Sequence, residues 1–134
     1  MAKSLLRLAV QSQEGGGGGA LPIEATFDGG GAIADIGLQK FYRVDQAKTI
    51  KAWYLFSDTP ATVTIDIWRI TAAEEWPPTV ADTICNGHLP ALNDAQEASD
   101  SDLSDWTSVE LAAGDKLIIN LSSNDLATKI YLQF

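Results

Sequence analysis

Between Thr62 and Ile70 the chain alternates without a break, with Val63, Ile65 and Ile67 on one side and Thr64, Asp66 and Trp68 on the other. A period of two sends successive side chains to opposite faces of a strand, and β-branched residues fit that pleated surface well. The segment therefore predicts a strand with one buried face. Related patterns recur along the chain. Ile23, Ala25 and Phe27 alternate with Glu24, Thr26 and Asp28, and Phe41–Val44 is strand-like. Thr49–Phe56 separates Ile50, Ala52, Tyr54 and Phe56 from Lys51, Trp53 and Leu55. Ala32–Ile36, Val80–Cys85, Trp106–Leu111, Lys116–Leu121 and Lys129–Phe134 complete the expected strands. Asp28–Gly31, Gly37, Ser57–Pro60, Ala113–Asp115 and Ser122–Asp125 carry turn residues, and Asn86–Ser104 reads as a polar, acidic loop. Short strands separated by such turns, with no sustained helical period after residue 20, predict an all-β fold: an antiparallel, jelly-roll-like β-sandwich.

The 134 residues suffice for one ordinary domain with its own core, and a composition of 46% hydrophobic and 20% charged residues is globular. Two parts are expected. Residues 1–19 form a short arm on a tether, because Gly15–Gly19 is polyglycine, which has high backbone entropy and no side chains to pack. Residues 20–134 form the sandwich. Leu5, Leu6, Leu8 and Val10 are apolar, and apolar side chains beyond a tether gain nothing from water. They are therefore candidate docking residues toward a neighbouring protein.

A net charge of -9 argues against nucleic acid and anionic membranes as partners. No apolar run approaches the roughly 20 residues of a membrane span, and Arg7 interrupts the apolar N-terminus where a signal peptide needs an unbroken stretch. The expected chain is made in a cytoplasm without secretion. Cys85 is the sole cysteine and lies in an apolar run, which reads as a small buried hydrophobe.

The residues offer little chemistry. His88 is the only histidine and no nucleophile elbow accompanies it. Glu74 and Glu75 are neighbours, which on a strand would point to opposite faces, so they do not read as a glycosidase pair. Asp100, Asp102 and Asp105 are a candidate calcium loop, but they lack the turn glycine of an EF-hand, and a solvated acidic loop is the favoured reading. The four tryptophans carry more information. Trp68 and Trp106 sit in strand patterns and read as core. Trp76, in a loop before Pro77, and Trp53 are candidate contacts to a glycan or a protein partner. No catalytic residue, cofactor or metal is expected, and the chain does not read as an enzyme.

Several runs together, Thr26–Ile33, Ile65–Trp68, Trp76-Pro-Pro-Thr-Val-Ala-Asp-Thr-Ile-Cys85, Asp105–Thr107 and Ala113–Leu117, resemble a module of tailed-bacteriophage virion proteins, the tail fibres and related structural proteins. The resemblance covers roughly Thr26 to the end, and the Trp76–Cys85 run with its spacing to Asp105–Thr107 is its most specific part. It implies a virion structural protein, a small fibre or a head or surface decoration module, assembled as a homotrimer with other virion proteins and mounted through its arm. Binding of host surface polysaccharide for attachment is one implied role; a cement or decoration protein that only stabilises the particle is the other.

Overall fold

The computed structural model describes residues 21–74 and 76–134, so the arm residues Leu5, Leu6, Leu8 and Val10, the glycine run and Glu75 lie outside it. The described part is all-β. Its strands are β1 (Glu24–Asp28), β2 (Gln39–Arg43), β3 (Lys48–Thr49), β4 (Trp53–Ile70), β5 (Ala91–Asp100), β6 (Glu110–Leu111), β7 (Lys116–Asn124) and β8 (Lys129–Gln133). A 3-10 turn at Val80–Asp82 is the single helical element among the described residues, and none there is long and apolar enough to cross a membrane.

Every pairing is antiparallel. The main sheet has six strands, ordered β1-β8-β4-β7-β2, with β5 on the other edge of β4. β4 is 18 residues long. Its first part pairs with β8, Tyr54 opposite Gln133 and Ser57 opposite Ile130; its second part pairs with β7, Val63 opposite Asn124 and Ile70 opposite Lys116. β1 then flanks β8, and β2 flanks β7. The register of β4 is irregular between Phe56 and Ala61, between Ala61 and Val63, and between Thr64 and Ile65. Irregularities of this kind bend a strand and strengthen its twist. The sheet folds over at this bend into a nearly closed, barrel-like sandwich.

The inner faces supply the core: Phe27 from β1, Leu55, Val63, Ile65 and Ile67 from β4, Leu117, Ile119 and Leu121 from β7, and Ile130 and Leu132 from β8. The odd-numbered positions of β4 point inward on both sides of the bend, so the alternation Val63, Ile65, Ile67 is the buried face. Cys85 is fully buried, and burial pushes its thiol pKa up to about 12.

Several expected boundaries shift. Ser57–Pro60 does not reverse the chain; it is the bend inside β4. Its turn residues serve that bend: Pro60, which has no N–H, falls where regular pairing lapses, and Asp58 turns its carboxylate onto the β7–β8 connection. Asp58 accepts hydrogen bonds from the Thr128 hydroxyl, from the Thr128 amide at 3.0 Å and from the Lys129 amide at 3.1 Å. Ser122–Asn124 likewise stays in β7, and the turn follows it, held by the Asn124 side chain on Ala127. The acidic segment expected as a loop contains β5. Its apolar alternation is faint because Leu92 is its one fully buried side chain, with Ala95 and Ala98 half-buried, and charged residues on a sheet edge deter pairing with other chains. Trp106 does not start a strand; its indole turns inward and donates to the His88 carbonyl at 2.9 Å, leaving β6 as two residues. Ala32–Ile36 is a connection whose Ala34 amide bonds to the Ala127 carbonyl at 3.0 Å. Val80–Cys85 is no continuous strand: it opens with the 3-10 turn Val80–Asp82, capped reciprocally by Thr79 and Asp82, and makes one β-bridge, at Thr83.

Two outcomes follow from this packing. Ile65→Ala is expected to cost about 2–5 kcal/mol in urea unfolding, because Ile65 is fully buried in the inner layer. The hydrogen bonds from the Thr128 hydroxyl and then the Lys129 amide hold the Asp58 carboxyl below its ordinary pKa. Its stabilising contribution is therefore full above the ordinary carboxylate range and is lost as pH falls through the lowered value. Thermal midpoints measured from about pH 6 down to about pH 2 should fall less steeply in Asp58→Asn than in the parent.

Candidate ligand-binding face

The half of the sheet made by β2, β7 and the second part of β4 presents two side-chain rows outward. Phe41, Ile118 and Trp68 lie in register across the three strands; so do Gln39, Asn120 and Asp66. The first row is aromatic at both ends, the second polar throughout. The chain that follows β4 returns over this face. Thr83 forms a β-bridge with Trp68, and the Thr83 hydroxyl donates to Asp66 Oδ1 at 2.5 Å. Ile118 and Ile70, although outside the main core, are thereby buried.

Trp76 emerges from the returning chain beyond Glu74, which is held in the turn by the Thr71 amide at 2.6 Å; the peptide Trp76–Pro77 is cis. The indole meets the ring of Phe41 edge to face, with centroids 5.6 Å apart and planes at 83°. Both rings remain open to solvent, Trp76 at 56% and Phe41 at 66% exposure. Edge-to-face packing fixes each ring in a defined orientation while leaving ring surface free.

Beside this pair the polar row is closely bonded. Gln39 Nε2 donates to Asn120 Oδ1 at 2.7 Å, and Asn120 Nδ2 donates to the carbonyls of Ile118 at 3.0 Å and Asp66 at 3.4 Å. Trp68 Nε1 donates to Asp66 Oδ2 at 3.0 Å. The network ends at the exposed amide of Gln39, next to Phe41 along β2. An open aromatic pair flanked by an amide suits the apolar face and hydroxyls of a sugar, or the side chains of a protein partner.

Of the residues singled out in the sequence, Trp76 lies exposed at the surface, against Phe41. Trp53 does not: it is 7% exposed on the inner face of β4, so it packs the core and is withdrawn as a contact. The expected strand Thr49–Phe56 is broken at residues 50–52 and resumes at Trp53, where the alternation holds but the two faces have the opposite environments to those a contact requires: Tyr54 and Phe56 are the exposed pair. Trp106 is core, and Trp68 is half-buried with its N–H satisfied. The calcium candidates do not converge. Asp100 caps the Asp102 amide at 2.9 Å, and Asp102 accepts from the Ser104 hydroxyl at 2.7 Å and its amide at 3.2 Å, which holds its carboxyl below the ordinary pKa. Asp105 lies 3.8 Å from His88 Nδ1 at the surface. These carboxylates serve the loop's own turns, and among the described residues no three His, Cys, Asp or Glu groups gather to hold a metal.

Phe41, Gln39 and Asn120 were not singled out in advance. The only sequence signal was an aromatic at an outward position of a short strand; the pairing that joins it to Ile118 and Trp68 is long-range. Asn120→Leu is expected to cost about 1–3 kcal/mol, since Gln39 loses its acceptor and two carbonyls lose a donor, whereas Trp76→Ala should leave the unfolding midpoint near that of the parent.

No family model matches this chain, and neither a curated protein nor a solved structure is similar enough to count as a match.

Proposed function

We propose that this chain is a non-enzymatic surface module of a tailed-bacteriophage virion, a small fibre or decoration protein that holds host-surface glycan against Trp76 and Phe41. The observation that carries the binding role is the solvent-open, edge-to-face pair of Trp76 and Phe41 with the Gln39 amide alongside. The phage setting rests on the resemblance of the Trp76–Cys85 run and its companions. Homotrimeric assembly and mounting through Leu5, Leu6, Leu8 and Val10 belong to the same reading. A trimer would multiply weak single sites by avidity, which suits a glycan contact of limited area.

A second reading, a cement or decoration protein without receptor binding, is favoured by one feature of the same face. Asp66 and Asn120 spend their side-chain groups on one another's surroundings, so Gln39 is the principal polar group facing outward. A surface of aromatic rings with few polar groups available suits a protein partner as well as a sugar.

A glycan array with the full chain separates the two. Binding to a defined glycan class that weakens about tenfold or more in both Trp76→Ala and Phe41→Ala, with unchanged thermal midpoints, is the expected result. An array without signal for the parent, together with retained binding to particles, would establish the cement reading instead.

A further inference from the structure

The other half of the sheet carries a second aromatic surface, unrelated to the Trp76 face. On its outer side Thr26, Tyr131, Phe56 and Glu97 lie in register across β1, β8, β4 and β5, with Glu24, Gln133, Tyr54 and Ser99 as the adjacent row. The Phe56 and Tyr131 ring centroids are 4.9 Å apart, and Tyr131 Oη donates to Glu24 Oε1 at 2.7 Å. Tyr54 is 58% exposed and Phe56 49%. Shallow clefts flank these rings, one lined by Phe56, Ile130 and Tyr131, another by Tyr54, Glu97 and Ala98. Large exposed aromatics clustered on one sheet face are the mark of a covered surface.

We propose that this face seats the chain's own N-terminal arm, residues 3–10. The inference is independent of whether the Trp76 face binds glycan. Three observations select this occupant. The first is chemistry: the arm offers the apolar side chains of Leu5, Leu6, Leu8 and Val10 together with Lys3 and Arg7, and residues 1–13 contain no acid. The face offers apolar rings bordered by the carboxylates Glu24, Asp28, Asp58 and Glu97 against the ammonium of Lys129, within a chain whose net charge is -9. A second copy of that acidic face would be repelled where the basic arm is attracted.

The second is the place where the arm is attached. The described chain opens at Leu21, and Pro22 lines a cleft with Tyr54 and Gln133, two members of this same face. The third is reach. Residues 11–20 separate the arm from that point, and ten residues extend at most about 33–36 Å. A face four strands wide measures about 14 Å across at ordinary strand spacing. The arm therefore reaches every part of the face from its own anchor. Attachment at such short range gives an effective concentration of order millimolar, which favours the chain's own face over that of a neighbour in dilute solution. The docking residues of the arm would then be stowed until a particle surface competes for them.

The test uses the full chain with Ser4→Cys carrying a nitroxide. Cys85 is buried, and its raised thiol pKa keeps it from reacting. In an isotope-labelled sample, amide signals of Tyr54, Phe56, Tyr131 and Gln133 should lose intensity relative to the reduced label, at all dilutions, while those of Phe41 and Val80 keep theirs. Phe56→Lys, which removes a ring and repels Lys3 and Arg7, should abolish the local loss without unfolding the chain. Uniform weak loss, or loss centred on another face, would overturn the proposal. So would loss seen when spin-labelled chains are mixed with isotope-labelled chains lacking the nitroxide, because that outcome assigns the arm to a neighbouring copy.

Discussion

The whole molecule hangs on one strand running through two halves of a sheet. β4 pairs with β8 before its bend and with β7 after it, and it carries inward side chains on both sides. Because the same strand belongs to both halves, the two inner layers cannot separate without breaking a ladder. The hydrophobic interior from Leu55 to Ile67 is therefore coupled directly to backbone pairing. The bend itself is polar. Asp58 ties it to Thr128 and Lys129, the Thr62 amide donates to Asp125 at 2.8 Å, and the Thr62 hydroxyl accepts the Asp94 amide at 3.2 Å. Where a ladder lapses, backbone groups still need partners, and short polar side chains at the bend supply them.

This arrangement leaves each half with an outer surface of distinct character. On the β2–β7–β4 side the returning chain covers Ile118 and Ile70, satisfies Asp66 and presents Trp76 against Phe41. On the β1–β8–β4–β5 side Tyr54 and Phe56 stand exposed, with Tyr131 half-buried against Phe56. Asp58, Asp66 and Asp102 are engaged in hydrogen bonds, and Cys85 is sealed in the interior.

The fold class was legible because a period of two survives in sequence wherever a strand has one wet and one dry face. Thr62–Ile70, Ile23–Phe27 and Lys129–Phe134 all show it, and all fall in strands or at their immediate ends. β5 was illegible for a physical reason: an edge strand with small alanines at its inward positions carries almost no apolar contrast. The bend at Ser57–Pro60 was misread as a reversal because turn residues report only that regular pairing lapses, not whether the chain turns back. Among site residues, Trp76 stood out in sequence as an aromatic in a loop, while Trp53 was misplaced because alternation separates two faces without saying which is buried.

By itself, then, the sequence determined the strands of strong contrast and the scarcity of reactive side chains, and it set the expectation of a glycine-tethered arm apart from the main body. These are local properties, set by periodicity, composition and backbone entropy. Tertiary structure alone decided which face of each strand is the core, how β4 joins two halves, and that Phe41, Trp76, Gln39 and Asn120 meet. Those outcomes depend on pairings between residues tens of positions apart, and a register is chosen only when all the apolar faces close on one another.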